Sequence, residues 1–203
     1  ESRRYLGSGL NFASAEAYKL LRTNLGFSLP VDEGQCRVIG VTSSVAGEAK
    51  STAAINLAYT LAQTSKQVLL LEADLRLPTV AKRLKLKQAP GVSNLLVGQC
   101  AGNDVLQKSG LISNMWVATA GNVPPNPAEL VGSKRMATAI KAFSKVFDVI
   151  VVDLPPVNVV TDALLLNEAT DGMIHVVRQG YCDKAALEEA VSQQRGAGTK
   201  ILG

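Results

Sequence analysis

Aromatic side chains make up only 4% of this 203-residue chain, which also has one histidine and three cysteines. Each scarcity excludes something. The densest basic stretch, Lys82-Arg83-Leu84-Lys85-Leu86-Lys87, has no aromatic residue among its charges, so it lacks a stacking platform for nucleic acid and reads as a solvated helix face. Cys36, Cys100 and Cys182 are far apart and show no C-x-x-C spacing, which argues against a metal site or disulfide framework and suits a reducing compartment. The apolar stretches at 68–71, 149–152 and 157–166 fall well short of the roughly 18 residues of a spanning helix. The first residues, Glu1 to Leu6, lack the apolar run and cleavage site of a secretory signal, so a cytoplasmic location is expected. His175 and Trp116 fall in predicted strands with no partner visible in the sequence, which assigns both to packing.

What the chain does have is three separated segments that read as one nucleotide site. They are Ser43-Ser44-Val45-Ala46-Gly47-Glu48-Ala49-Lys50-Ser51-Thr52, Leu69 to Arg76, and Val149 to Pro156. Each follows or ends a short apolar run, so each is expected at the carboxyl end of a buried parallel strand, where open α/β sheets bind ligands. In the first segment, backbone N–H groups of Gly47 to Thr52 can cradle phosphates, Lys50 can reach the β/γ phosphates and Ser51 can offer a hydroxyl to Mg²⁺. Two positions that are glycine in the ordinary G-x-x-x-x-G-K-[ST] pattern are Ser44 and Ala49 here. The other two segments supply Glu72, Asp74 and Asp153, carboxylates able to hold a metal or to orient or deprotonate an attacking hydroxyl.

Around these segments the pattern alternates strand and helix, predicting one α/β domain with a mostly parallel sheet and helices on both faces. A first helix is expected from Ser14, a plausible N-cap, through Leu25. A turn at 30–36 with Pro30, Asp32 and Gly34 leads into strand Arg37–Val41. Further strands are expected at 68–71, 115–119, 148–153 and 173–177, and helices after the phosphate loop, across the basic cluster, through Phe143, at 161–169 and at 183–194. Residues 199–203 look like a last strand cut short.

These residues resemble the bacterial tyrosine kinases of capsular and exopolysaccharide export, part of the wider deviant-Walker ATPases that include chromosome-partitioning and division-site proteins. The resemblance spans nearly the whole chain. Gly47 to Thr52 match the family's phosphate loop except at Ala49. Glu72, Asp74 and Arg76 match its aspartate-x-aspartate-x-arginine strand end, and Asp153, Pro155 and Pro156 its Walker B segment, with Thr161-Asp162-Ala163 downstream. Glu16, Lys19 and Arg22 match its N-terminal oligomerisation helix within residues 1–29, ahead of a nucleotide-binding core at 37–203. Pro124 to Leu130 match its proline-asparagine-proline segment.

The resemblance implies an ATP-dependent protein-tyrosine autokinase that binds ATP or ADP with Mg²⁺. Gly47, Glu48, Ala49, Lys50, Ser51 and Thr52 would bind the cofactor, Ser51, Asp74 and Asp153 the metal, and Lys50, Glu72, Asp74 and Asp153 would carry the chemistry. It further implies a homo-oligomeric ring at the inner face of the membrane, partnered by a membrane-embedded polysaccharide co-polymerase and not by nucleic acid. Two departures bear on the chemistry. Ala49 stands where glycine takes φ > 0, at a cost on the order of 1 kcal/mol. Glu72 carries its charge one methylene further than aspartate would. The tyrosines, 5, 18, 59 and 181, form no acceptor cluster, and Tyr18 and Tyr59 are expected to be structural. Two other readings stay open: an ATPase switch of the partitioning type, and a scaffold without nucleotide affinity.

Overall fold

The computed structural model describes residues 6–30, 34–64 and 66–203. The N-terminal residues through Tyr5, and Asp32 in the expected turn, lie outside the described residues. Strands β1 (Arg37–Ser43), β2 (Val68–Glu72), β3 (Leu106–Lys108), β4 (Met115–Ala118), β5 (Val149–Asp153) and β6 (Gly172–Val176) form one sheet in the order β3-β4-β2-β5-β1-β6. All neighbours are parallel except β3, which runs antiparallel to β4 at one edge. Ile201 pairs with Met173 in parallel fashion, so the expected last strand begins its ladder beside β6.

Apolar residues on both sides of each central strand explain why the sheet is covered on both faces. Leu69, Leu71, Ile150 and Val152 point into one core with Met136, Ile140 and Phe143. Their neighbours Leu70, Val149 and Val151 point into the other, with Ile55, Leu57 and Leu61. The second core lies under helices α1 (Phe12–Ser28) and α2 (Lys50–Ala62). The first is closed by α4 (Val92–Leu96), α5 (Pro127–Val131), α6 (Lys134–Phe143), α7 (Asp162–Leu165) and α8 (Lys184–Gly196), whereas α3 (Val80–Leu84) turns Val80 and Leu84 to the second core.

Several boundaries differ from the sequence expectation for identifiable reasons. The N-cap of α1 is Asn11, whose side chain accepts the Ser14 N–H at 2.8 Å, so Ser14 lies inside the helix. The basic helix stops at Leu84 because Lys85 takes a left-handed conformation at φ 57°. The stretch leading to Phe143 is two helices, because Ser133 caps a second one by accepting the Met136 N–H. Strand β3 carries only three residues and no apolar run to announce it.

Helix α1 sits on α2. Arg22 donates from Nη1 to the Thr60 carbonyl at 2.9 Å, and Lys19 pairs with Glu16 at 2.7 Å along its own exposed face. Tyr18 is partly buried with a hydrogen bond to Asn56, and Tyr59 packs on Gly7, as their structural assignment anticipated.

Candidate functional site

The carboxyl ends of β1, β2 and β5 meet at the start of α2, as the three sequence segments predict. Their register makes this unavoidable, since Gly40 lies opposite Val152, and Glu72 opposite Asp153. Between them lies a cavity of about 330 Å³ whose walls include Gly47, Lys50, Thr52, Asp74 and Arg83. A larger cavity of about 480 Å³, bounded by Val38, Ile140 and Leu166, has no buried carboxylate in its walls. The smaller one is the candidate site.

Lys50 opens α2 and aims its ammonium between two acids. Its Nζ lies 2.9 Å from Asp74 Oδ2 and 3.3 Å from Asp153 Oδ1. Burial opposes the charge on Lys50, but Asp153 and Asp74 outweigh it and hold its pKa above the ordinary lysine value. Asp153 is fully buried, and this burial pushes its pKa up despite the cation beside it. Two carboxylates therefore share one ammonium. Asp153 Oδ2 is buried and has no hydrogen-bond partner among the described residues. A buried anionic oxygen without a partner is costly, and a divalent cation would supply what is lacking. Ser51, which bonds the Asp153 carboxylate, completes a set of oxygen donors that suits Mg²⁺ shared with phosphates.

Ala49, just before Lys50, adopts φ 65° and ψ 23°, the left-handed conformation expected of the residue it replaces. It is exposed and lines the cavity. Gly47 is also left-handed, at φ 90°. The Glu48 side chain turns inward. Oε2 accepts from the Ser44 and Val45 N–H groups at 2.9 and 3.0 Å, so only its backbone can face a phosphate. Thr52 Oγ1 accepts from Arg83 Nη1 at 3.0 Å.

The structure brings Asp74 and Asp153 to Lys50 but ties Glu72 elsewhere. Glu72 Oε1 accepts the N–H groups of Thr79 and Val80 at 2.6 and 2.8 Å, and Oε2 accepts that of Ala120 at 3.0 Å. Burial raises its pKa to about 7, against the opposing pull of those three donors. A value near neutrality suits a general base, but this carboxylate is fully buried and both its oxygens are engaged. Arg76 binds Asp162 through Nε at 2.9 Å and Nη2 at 3.2 Å, fastening the segment after β2 to α7. Arg83, His175, Arg178 and the inward turn of Glu48 were not visible as site features in the sequence. Most depend on partners 31 to 131 positions away, and local spacing carries no signal for such pairs.

A family model described as an AAA domain matches residues 36–190. The tyrosine-protein kinase YwqD of Bacillus subtilis is 36% identical over 190 residues, covering 94% of this chain and 79% of that protein. The tyrosine-protein kinase CpsD of Streptococcus agalactiae is 32% identical, covering 93% and 79%. Among solved structures, the kinase domain of the Escherichia coli tyrosine kinase ETK superposes with a TM-score of 0.91 at 27% identity, covering all of this chain and 78% of that one. The septum site-determining protein MinD of Pyrococcus horikoshii, solved with Mg-ADP, aligns at a TM-score of 0.69 and 20% identity over 83% of this chain and 68% of its own, a likeness of fold. With its P-loop, its mostly parallel sheet and these relatives spanning nearly its full length, the chain belongs to the bacterial tyrosine-protein kinases of the AAA-domain P-loop class.

Proposed function

We propose that this chain is an ATP-dependent protein-tyrosine autokinase that regulates capsular or exopolysaccharide polymerisation and export, with Lys50, Asp74 and Asp153 at its centre. The observation that carries this over a partitioning-type switch is the extent of the likeness. The kinase domain of ETK matches the whole chain at a TM-score of 0.91, whereas MinD matches 83% at 0.69.

Under this reading the backbone N–H groups of Gly47 to Thr52 and the positive end of α2 bind the phosphates of ATP. Lys50, kept charged by its two acids, neutralises them. Ser51, Asp153 and Asp74 would hold Mg²⁺, which when bound offsets the charge that develops as the phosphoryl group leaves. Asp74, whose Oδ1 accepts the Leu77 N–H at 3.1 Å, is held at the cavity wall and orients or deprotonates the incoming tyrosine hydroxyl. Glu72 sets the loops around Asp74 through its three backbone bonds.

The acceptor tyrosine comes from a neighbouring subunit of a ring, with Glu16, Lys19 and Arg22 of α1 in its assembly region. Exposed Phe12, Leu20 and Phe27 on the same helix provide apolar surface for that contact. Among the described residues no helix is long and apolar enough to cross a membrane, so attachment to the inner membrane face goes through a membrane-embedded polysaccharide co-polymerase or a fused segment.

The test is incubation with Mg²⁺-ATP and a tyrosine-rich acceptor peptide, read by phosphotyrosine mass spectrometry alongside phosphate release. Phosphotyrosine formation is expected. Phosphate release without it assigns the chain to the ATPase-switch class, and no nucleotide binding at all assigns it to a scaffold.

A further inference from the structure

Strand β6 and the turn after it grip the phosphate loop from the side opposite Lys50, using residues to which the proposed chemistry gives no role. His175 of β6 lies opposite Thr42 of β1 in the ladder, two residues before Ser44. Its ring is buried between α8 and the loop. Nδ1 lies 2.6 Å from Gln194 Oε1, and Nε2 lies 2.8 Å from Ser44 Oγ. Gln194 Nε2 is turned the other way, toward the Met173 sulfur at 3.9 Å, which leaves the amide oxygen facing the ring. An amide oxygen can only accept, so in the neutral ring Nδ1 carries the proton and Nε2 is the bare nitrogen. That bare nitrogen accepts from the Ser44 hydroxyl. Gln194 thus fixes the tautomer, and the tautomer fixes Ser44.

Ser44 occupies a position that is glycine in the ordinary loop pattern, and its side chain is buried away from the cavity. Its hydroxyl is matched by a histidine 131 residues later. Two neighbouring contacts hold the next part of the loop. Glu48 Oε1 accepts the Arg178 N–H at 3.2 Å, while its other oxygen holds the Ser44 and Val45 N–H groups. The Tyr181 hydroxyl fills the space that a side chain at Gly47 would take, and its ring is stacked under the Arg178 guanidinium at 4.9 Å.

We propose that His175, oriented by Gln194, is a positioning residue of the phosphate loop, holding Ser44 so that the loop is shaped for a nucleoside di- or triphosphate before one arrives. The inference rests on the nucleotide-binding reading above. It assigns to β6 and α8 the preorganisation of a site whose charged groups all come from other elements.

Calorimetric titration of the whole chain with Mg²⁺-ADP tests it, comparing the unmodified protein with Ser44→Ala, His175→Ala and the double variant. Each single change is expected to weaken binding about 10-fold, the size of one lost buried hydrogen bond, and the double variant no more than the weaker single, because both act through the same bond. In the unmodified chain without nucleotide, the ¹⁵N resonances of His175 should already show a protonated Nδ1 and a bare Nε2 and should keep that pattern when Mg²⁺-ADP binds, whereas a pattern that appears only with Mg²⁺-ADP overturns a contact formed in advance. If His175→Ala fails to fold, Ser44→Ala, which deletes one oxygen, carries the test with the resonance. Wild-type affinity in the folded variants, or additive losses in the double variant, overturns the proposal while leaving nucleotide binding intact. Absence of binding by the unmodified chain overturns the nucleotide reading, and this inference with it.

Discussion

Glu72 and Asp153 face each other across the β2–β5 ladder, both end apolar strands and both are fully buried, yet they do opposite things. Glu72 accepts three backbone N–H groups from the segments after β2 and β4. Asp153 faces Lys50 with one oxygen and, among the described residues, has no hydrogen-bond partner for the other. The difference lies in what the neighbouring chain supplies. After β2, the backbone folds back at Thr79 and Val80 and delivers donors to Glu72. After β5, Leu154 instead donates its N–H to the Val41 carbonyl, and the prolines that follow have none to give. A carboxylate becomes a fastener where the backbone meets it, and a binding group where it does not.

The largest test of this contrast removes the cation from the Asp153 side. Lys50→Met leaves two buried carboxylates uncompensated and should cost about 3–5 kcal/mol of stability in urea denaturation, beyond abolishing ATP binding. A loss under 1 kcal/mol would mean that Asp74 and Asp153 do not depend on the ammonium as their geometry indicates.

Next in size is the pH response of Glu72. Its pKa is about 7 in the folded chain against 4.5 as the ordinary value, so between those pH values the folded state holds a proton that the unfolded state has released. Stability therefore falls as pH rises through that window and levels off above it, by about 3 kcal/mol in all. Glu72→Gln, which cannot ionise, should flatten most of the fall between pH 5 and pH 8, leaving the part contributed by Asp153, whose pKa is also raised by burial. An unchanged slope would transfer the effect away from Glu72.

The smallest effect leaves both carboxylates untouched. Ala49→Gly relieves a left-handed alanine and should raise stability by about 1 kcal/mol, shifting the thermal midpoint upward by about 2–4 °C. If nucleotide affinity rises with it, the methyl group as well as the strain hinders binding; if stability alone rises, the loop already accepts phosphate as it stands.

The parts of the fold set by short apolar runs were readable from the sequence. The five parallel strands, the phosphate loop and the left-handed demand at position 49 follow from local pattern. Glu72 shows where local pattern stops. Its place at a strand end announced a charge near the nucleotide, but the three donors that engage it come from residues 79, 80 and 120. His175 reads as packing in the sequence because its partners, Ser44 and Gln194, are brought to it only by the pairing of β6 with β1 and the docking of α8. Strand β3 leaves no mark in the sequence because three residues at a sheet edge bury too little to produce a hydrophobic period.

Helix α2 begins at Lys50 in the phosphate loop and ends at Ala62, two residues beyond the carbonyl that Arg22 of α1 holds. Thirteen residues of helix make a rod roughly 20 Å long. One end of that rod carries the lysine of the nucleotide site and the other is clasped by the N-terminal helix. The clasp on α1 and the backbone of Lys50 thus lie on one uninterrupted helix, with no loop between the N-terminal helix and the residue whose ammonium stands between the two acids.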